Sequence, residues 1–310
     1  MRPIAITTCT DRKRFPVPIE LDASGLDSGP QSIVANAWRK RIRSAQTVAP
    51  ATDVYCGRSF REAVLAAEAG RAEFRIISGG LGLLRGDEKI PSYSLSLARQ
   101  SSEFIGARVV DDVFDPSLWW SEIQLTPEAA PLAALIRSDP SAIAVIAISN
   151  AYLPLIGMDL ASVEEDDLDR VRLIGMSIED ACPAQLRRCI LPYDDRLDGP
   201  DSSIRGTRGD FPSRAMHHFI KDLLPEHPSG SLKAHKSAVD RCLSKWRHPE
   251  FISRPSKSDD EIIALLKNNW NAFEGKSSLG LRYLRDIEKI ACEQRRYRSL
   301  YHRAAKQVAL

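Results

Sequence analysis

The stretch FRIISGGLGLLRGDEKIPSYSLSL, Phe74 to Leu97, decides how the chain folds. It opens as an apolar, β-branched run and meets Ser78, Gly79 and Gly80. It then strings together acid, base, proline and tyrosine with neither helical nor strand period. A run such as FRIIS, without polar alternation, predicts a strand covered on both faces. Four other runs have the same character: IAITT (4–8), AIAVIAIS (142–149), VRLIGMS (171–177) and CILPY (189–193). Helical candidates lie between them. SFREAVLAAEAG (59–70) ends in a C-cap glycine, and TPEAAPLAALIRS (126–138) has Thr126 as N-cap and Pro127 at the first position. A basic helix, ANAWRKRIRSA, follows a Pro, Gly, Ser and Asp-rich loop at 16–32. This alternation predicts a three-layer, Rossmann-like α/β fold with a mostly parallel sheet, in which ligands bind beyond the carboxyl ends of the strands.

With 310 residues, 43% of them apolar, the chain can bury a large core. No apolar run reaches the roughly 18 residues of a membrane span. The N-terminal MRPIAITTCTDRKRF places its basic residues after the apolar run, the reverse of a secretory signal, so a cytoplasmic protein is expected. Cys9, Cys56, Cys182, Cys189, Cys242 and Cys292 form no C-x-x-C pair and read as free thiols. Every histidine lies at or beyond His217, which leaves residues 1–216 without an imidazole base or metal ligand; neither metal nor cofactor is expected.

The formal charge of +2 conceals an asymmetry. Residues 231–310 carry 17 Lys and Arg against 9 Asp and Glu, while the rest of the chain is net acidic. A basic tail predicts a polyanionic partner, most simply nucleic acid. Two domains are expected, an α/β body over 1–225 and a basic helical domain over 231–310, divided near PEHPSG (225–230).

The predicted strand ends collect Thr8, Cys9 and Asp11, then Ser78, Gly79 and Gly80, then Asn150 and Tyr152. Such a rim suits a polar, partly planar ligand. Gly79 and Gly80 would let the backbone approach that ligand and aim amides at an anion, although an ordinary strand-exit turn has the same composition. The stretch is no dinucleotide fingerprint, since Leu81 and Leu84 stand where glycines are required. EGKSS (274–278) is no phosphate loop, since Trp270 occupies the place of its first glycine.

Three motifs stand in the first hundred residues: C-x-x-R-K (Cys9, Arg12, Lys13), Y-x-G-x-x-F-R-x-A (Tyr55, Gly57, Phe60, Arg61, Ala63) and I-x-S-x-x-x-G-L-L-x-x-D-E-x-I-x-x-Y (Ile76 to Tyr93). Together they resemble a bacterial family of Rossmann-like proteins related to the peroxide-stress protein YaaA and to uracil-DNA-glycosylase-like domains. Some relatives serve in phage defence by excising modified bases. The chain departs from the pattern in lacking the lysine between the serine and the glycine, and in having Ser92 between Pro91 and Tyr93. Loss of that lysine removes any lyase chemistry from its position. The resemblance implies a monofunctional DNA glycosylase that hydrolyses the N-glycosidic bond of a modified, possibly glycosylated, base and leaves an abasic site.

Base excision needs a carboxylate near the sugar, where positive charge develops, and donors for the departing base, which must first leave the stack. Asp87 is the leading carboxylate, with Asp11 and Asp210 in reserve; as part of a Gly-Asp pair, Asp87 equally suits a turn. Asn150 could read the base edge and Tyr93 could stack on it. In IRGTRGDFPSR (204–214), Arg205, Arg208 and Arg214 with Asp210 and Phe211 suit a loop that presses on phosphates and wedges into a vacated stack, or else a solvated linker.

In the tail, Ser258 and Glu261 cap one helix. A second, long helix from Leu279 should turn Leu281, Leu284, Ile287 and Ala291 inward and Arg282, Arg285, Lys289, Arg295 and Arg296 outward, with Lys276, Ser277 and Ser278 at its start. The pair fits a helix-turn-helix reader of double-stranded DNA, or a basic bundle for protein contact. Two other functions stay open: a nucleoside deoxyribosyltransferase or base-exchanging transglycosylase, which needs no basic tail, and a non-catalytic DNA-binding regulator.

Overall fold

The computed structural model describes residues 2–110, 113–125, 130–250 and 254–308. The strands are β1 (Ile4–Thr8), β2 (Ala49–Pro50), β3 (Glu73–Ser78), β4 (Gly82–Arg85), β5 (Lys89–Ile90), β6 (Ala144–Ala147) and β7 (Val171–Ile174). The helices of the body are α1 (Gln31–Ser44), α2 (Ala51–Val54), α3 (Arg58–Ala69), α4 (Pro116–Ile123), α5 (Pro131–Ser138), α6 (Leu153–Ala161), α7 (Glu165–Leu168), α8 (Phe211–His218) and α9 (Leu232–Leu243). The central sheet has the order β4-β3-β1-β6-β7, parallel except for the edge hairpin β3–β4; β2 and β5 pair separately.

Alternate strand residues feed two cores, as a sheet covered on both faces requires. Ile4, Ile6, Ala144, Ile146, Val171 and Leu173 join α1, α4, α5 and α6. Ala5, Val145, Ala147 and Ile174 face Ala63, Ala66, Ala67, Phe211, Met216 and Val239 from α3, α8 and α9. Because β3 and β6 lie on opposite sides of β1, the chain switches direction across the sheet there, the point at whose carboxyl ends open α/β sheets place ligands. Among the described residues no helix is long and apolar enough to cross a membrane.

Several expectations are revised. CILPY adds no strand: residues 184–189 form a 3-10 helix, only Ile190 bridges to Leu173, and Pro192 has no amide with which to continue a ladder. The edge strand β4 was not anticipated. Thr126 and Pro127 lie outside the described residues, and α5 runs from Pro131. Its free amides at Leu132 and Ala133 donate to the Asp159 carboxylate of α6, both at 3.0 Å, and the Trp120 indole donates to the same group at 2.8 Å.

The chain divides into compact units at 249/250, not at 225–231. Helix α9 belongs to the body because Leu232, Val239 and Leu243 are buried in its core. His235 is fully buried there, and its Nδ1 accepts from the Nε of Arg172 of β7 at 2.8 Å. Arg172, also fully buried, donates to the carbonyls of Asp169, Val171 and Gly230.

The second unit is helical: α10 (Asp259–Asn268), α11 (Ser277–Arg282) and α12 (Gln294–Val308). Ser258 and Glu261 form the expected capping box. The long second helix is instead two. A π-type turn over Tyr283–Ile287 ends it, Lys289 adopts a left-handed φ of 54°, and the Glu293 carboxylate caps α12 by accepting from the amides of Arg295 and Arg296. Leu284 is buried as expected, but the break turns Ile287 outward, 66% exposed, and leaves Ala291 half-buried; Ile290, Cys292, Tyr297 and Leu300 complete the core.

Burial holds the His235 imidazole below its ordinary pKa, with the His227 carbonyl opposing and Arg172 reinforcing that shift. Proton uptake therefore favours the unfolded chain: stability should be level above about pH 6.5 and fall as pH drops below it. His235→Leu should cost about 2 kcal/mol by leaving the Arg172 Nε unpaired, and should flatten that pH dependence; urea unfolding between pH 5 and 8 measures both.

Candidate functional site

β3 ends at Ser78, and a five-residue reversal, Ser78 to Gly82, returns the chain as β4. Gly82 takes a φ of +78°, a left-handed value that strains any residue with a side chain. Much of the reversal's backbone is bonded within the protein. The amides of Gly80 and Leu81 donate to Ser78 Oγ at 3.3 and 3.0 Å, and the carbonyls of Gly79 and Gly80 accept from the indoles of Trp119 and Trp38 at 2.8 and 2.6 Å. The amides of Gly80 and Leu81 are thus not aimed at an anion, which corrects the expected role of this turn. Glycine is needed at 80 for another reason, since a Cβ there would lie 2.6 Å from the ring of Tyr93.

Ser78 is the hub of a buried polar cluster. Its hydroxyl lies 2.7 Å from Tyr93 Oη and accepts from Tyr55 Oη at 3.2 Å, and the two phenols lie 2.8 Å apart. Beyond them Cys9 Sγ is 3.1 Å from Tyr152 Oη and 3.8 Å from Tyr93 Oη. Lys13 Nζ stands over the Tyr93 ring, 4.4 Å from its centroid, and 5.9 Å from that of Tyr55. Backbone pairing holds these residues in register: Lys13 bridges Tyr55, Arg14 N donates to Val54 O, Cys56 N donates to Arg12 O, and Thr10 Oγ1 bonds the carbonyls of Arg12 and Cys56.

Burial pushes the hydroxyls of Tyr55, Tyr93 and Tyr152 well above the ordinary tyrosine range, so they stay protonated as donors. Burial also draws Lys13 below the ordinary lysine value, with Cys9 and then Asp11 acting in the opposite direction. Asp11 also adds to the rise at Tyr152, as Glu88 does at Tyr55, and Glu103 opposes the shift at Lys13.

Of the residues proposed from sequence, Cys9, Ser78, Gly79, Gly80, Tyr93 and Tyr152 therefore converge, with Thr8 at the end of β1 and the exposed Asp11 two residues beyond Cys9. Asp87 does not. Antiparallel pairing of Arg75 with Arg85 carries β4 back about 10 Å along β3, so Asp87 sits toward the amino end of the sheet, ion-paired to Arg85 at 2.7 Å and 69% exposed. Asn150 lies at the carboxyl edge, where its Nδ2 donates to Ser177 O and ties the exits of β6 and β7 together.

The 204–214 segment is not a flexible wedge. Phe211 is fully buried as the first residue of α8, and Arg214, 1% exposed, pairs with Asp210 at 2.6 Å and Asp198 at 2.9 Å. Asp210 accepts from Thr207 N and pairs with Arg58 at 3.1 Å; Arg205 and Arg208 remain exposed. In the second unit Lys276, Ser277, Ser278, Arg282 and Arg295 are exposed. Arg296 instead pairs with Asp259 at 2.6 Å, and Arg285 donates to Cys292 O across the helix break.

Sequence reading assigned no role to Lys13 or Tyr55, although both stand in the motifs; they share no period, and only the pairing of 13 with 55 unites them. Asp194, Asp195 and His248 alone among the described residues bring three metal-type ligand atoms within 4.8 Å. The Arg196 guanidinium already binds both Asp194 oxygens, and Asp195 lies 2.6 Å from His248, so the trio is an ion-pair network. A depression of about 710 Å³ between Arg2, Val64 and Phe74 is lined by a single carboxylate, Glu68. A neighbouring one of about 630 Å³ has Tyr55 and Cys56 in its wall, with the Tyr55 ring buried behind it. The chain matches no known family, characterised protein or solved structure.

Gly80→Ala should displace the Tyr93 ring and cost about 2 kcal/mol through overpacking. Gly209→Ala, where a Cβ has only Thr207 Oγ1 nearby at 3.9 Å, should leave urea unfolding unchanged.

Proposed function

We propose that the chain is a DNA glycosylase that hydrolyses the N-glycosidic bond of a modified base. The observation that carries this reading is the meeting of Cys9, Lys13, Tyr55, Ser78 and Tyr93 at the carboxyl edge of β1 and β3, beside the point where the sheet changes direction. These are residues of the three motifs that resemble the YaaA and uracil-DNA-glycosylase-like group, drawn from separate parts of the first hundred residues into one cluster.

Asp11 replaces Asp87 as the proposed carboxylate. It would stabilise the positive sugar and orient the attacking water, and Lys13, half-buried over Tyr93, would donate to the base as it departs with the bonding electrons. Tyr152, its phenol held protonated, would read the edge of a base taken out of the stack. The second unit, as a helix-turn-helix-like module, would hold duplex DNA through α11 and the exposed Lys276, Ser277, Arg282 and Arg295. A role in antiviral defence follows from the resemblance.

The test is incubation with phage genomic DNAs, some unmodified and some carrying modified or glycosylated bases. Free base would be followed by mass spectrometry and abasic sites by alkaline cleavage. Release from one modified genome is expected, reduced at least about 100-fold by Asp11→Asn and unchanged by Asp87→Asn. Arg282→Glu with Arg295→Glu should weaken duplex binding and make its loss with salt shallower. Binding without release from any genome would favour a non-catalytic regulator, and release from free nucleosides unaffected by those charge reversals would favour a transferase.

A further inference from the structure

Three depressions on the body share walls and form one groove along α3. The first, about 630 Å³, is lined by Arg14, Tyr55, Gly57, Arg58 and Arg61. It shares Thr52, Val64 and Glu68 with the second, about 710 Å³, which adds Arg2, Arg71 and Phe74. The second shares Arg2, Thr52 and Phe74 with the third, about 600 Å³, which ends at Arg75, Arg85 and Asp87. The groove starts beside the polar cluster and follows a helix of about 18 Å.

Its charge is not neutralised from within. Arg58, Arg75 and Arg85 are paired with Asp210, Glu73 and Asp87. Among the described residues no carboxylate pairs with Arg2, Arg14, Arg61 or Arg71, although Arg2 donates to the carbonyls of Arg71 and Ala72; the remaining acids on the wall are Asp53 and Glu68. The floor between them is apolar, with Val64 and Phe74 half-buried and the rings of Tyr55 and Phe60 fully buried beneath it.

Arg71 gives an independent sign that an arginine is wanted here. It adopts a left-handed φ of 46°, at the position after a helix where glycine is the usual occupant. The glycine comes one residue earlier, at Gly70, where a Cβ would meet Ile220 at 2.4 Å. The chain accepts backbone strain at 71 and places a cation on the groove wall.

We propose that this groove carries the phosphodiester backbone of single-stranded DNA leading to the site. It rests on the reading of the site as one that acts on nucleic acid. Guanidinium groups on the walls would take successive phosphates, while the half-buried Phe74 and Val64 offer the bases an apolar face without regard to sequence. A duplex, convex on its outer face, would reach only the rim.

The test measures binding of a fluorescein-labelled, unmodified single-stranded DNA 12-mer, and of its duplex, to the full chain across a salt series. The Arg14→Glu/Arg61→Glu variant should bind the single strand at least tenfold more weakly, with a salt slope lower by about 1.4, while duplex binding through the second unit is unchanged. Arg71→Gly should raise Tm by relieving the strained φ and still weaken single-strand binding several-fold, which a loss of folding cannot mimic. Unchanged single-strand affinity and slope in both variants would overturn the proposal, as would an equal loss of duplex affinity. Base release does not enter these measurements: groove binding without release would sink only the glycosylase reading, and release with no effect of either variant on strand binding would sink only the groove.

Discussion

The hydroxyl of Ser78 accepts hydrogen bonds from two backbone amides and shares protons with two buried phenols. One oxygen thereby joins the end of β3, the reversal into β4 and the aromatic wall of the site. Removing it would leave buried donors at Gly80 and Leu81 with no acceptor, a larger penalty than loss of any single bond. The two indoles that hold the carbonyls of the same turn come from α1 and α4, so the turn also anchors both helices to the sheet. The interruption of the core at Gly79 and Gly80 is therefore a packing solution. It lets Tyr93 lie against the strand end, where Lys13 can sit over its face.

Much of this order was legible in the sequence. The continuous apolar runs of β1, β3, β6 and β7 announce a sheet buried on both sides, and the strand-end rule leads to Cys9, Ser78 and Tyr152. What escaped is what only antiparallel return or distant pairing creates. GLLR is too short and glycine-flanked to read as a strand, yet its return along β3 takes Asp87 away from the cluster. Phe211 and Arg214 stand in a stretch with loop composition, but Arg214 folds back on Asp210 of that stretch and on the more distant Asp198. The break at 288–293 interrupts a good helical period because Glu293 caps a new helix there.

The body also keeps charge inside it on strict terms. Arg214 is satisfied by two carboxylates and two carbonyls, whereas Arg172 has a neutral imidazole and carbonyls alone. Burial lowers the pKa of Arg172 to about 10, still high enough to keep it charged at neutral pH. Its bond to His235 adds to the burial of Leu232, Val239 and Leu243 that keeps α9 in the α/β body, although the chain's basic composition groups that helix with the tail.

Asp159 has a consequence for the order in which the fold can be made. Helix α5 has eight residues, fewer than the roughly 12–15 at which an isolated helix begins to persist in water. The carboxylate that satisfies its first amides arrives from α6, more than twenty residues downstream. On a ribosome, α5 would leave the exit tunnel without its cap and stay unformed until α6 followed. The neighbouring strand β6, which lies between the two helices in sequence, would then reach the sheet with that face still uncovered, and the window between its synthesis and that of Asp159 is when the nascent chain is most open to other apolar surfaces.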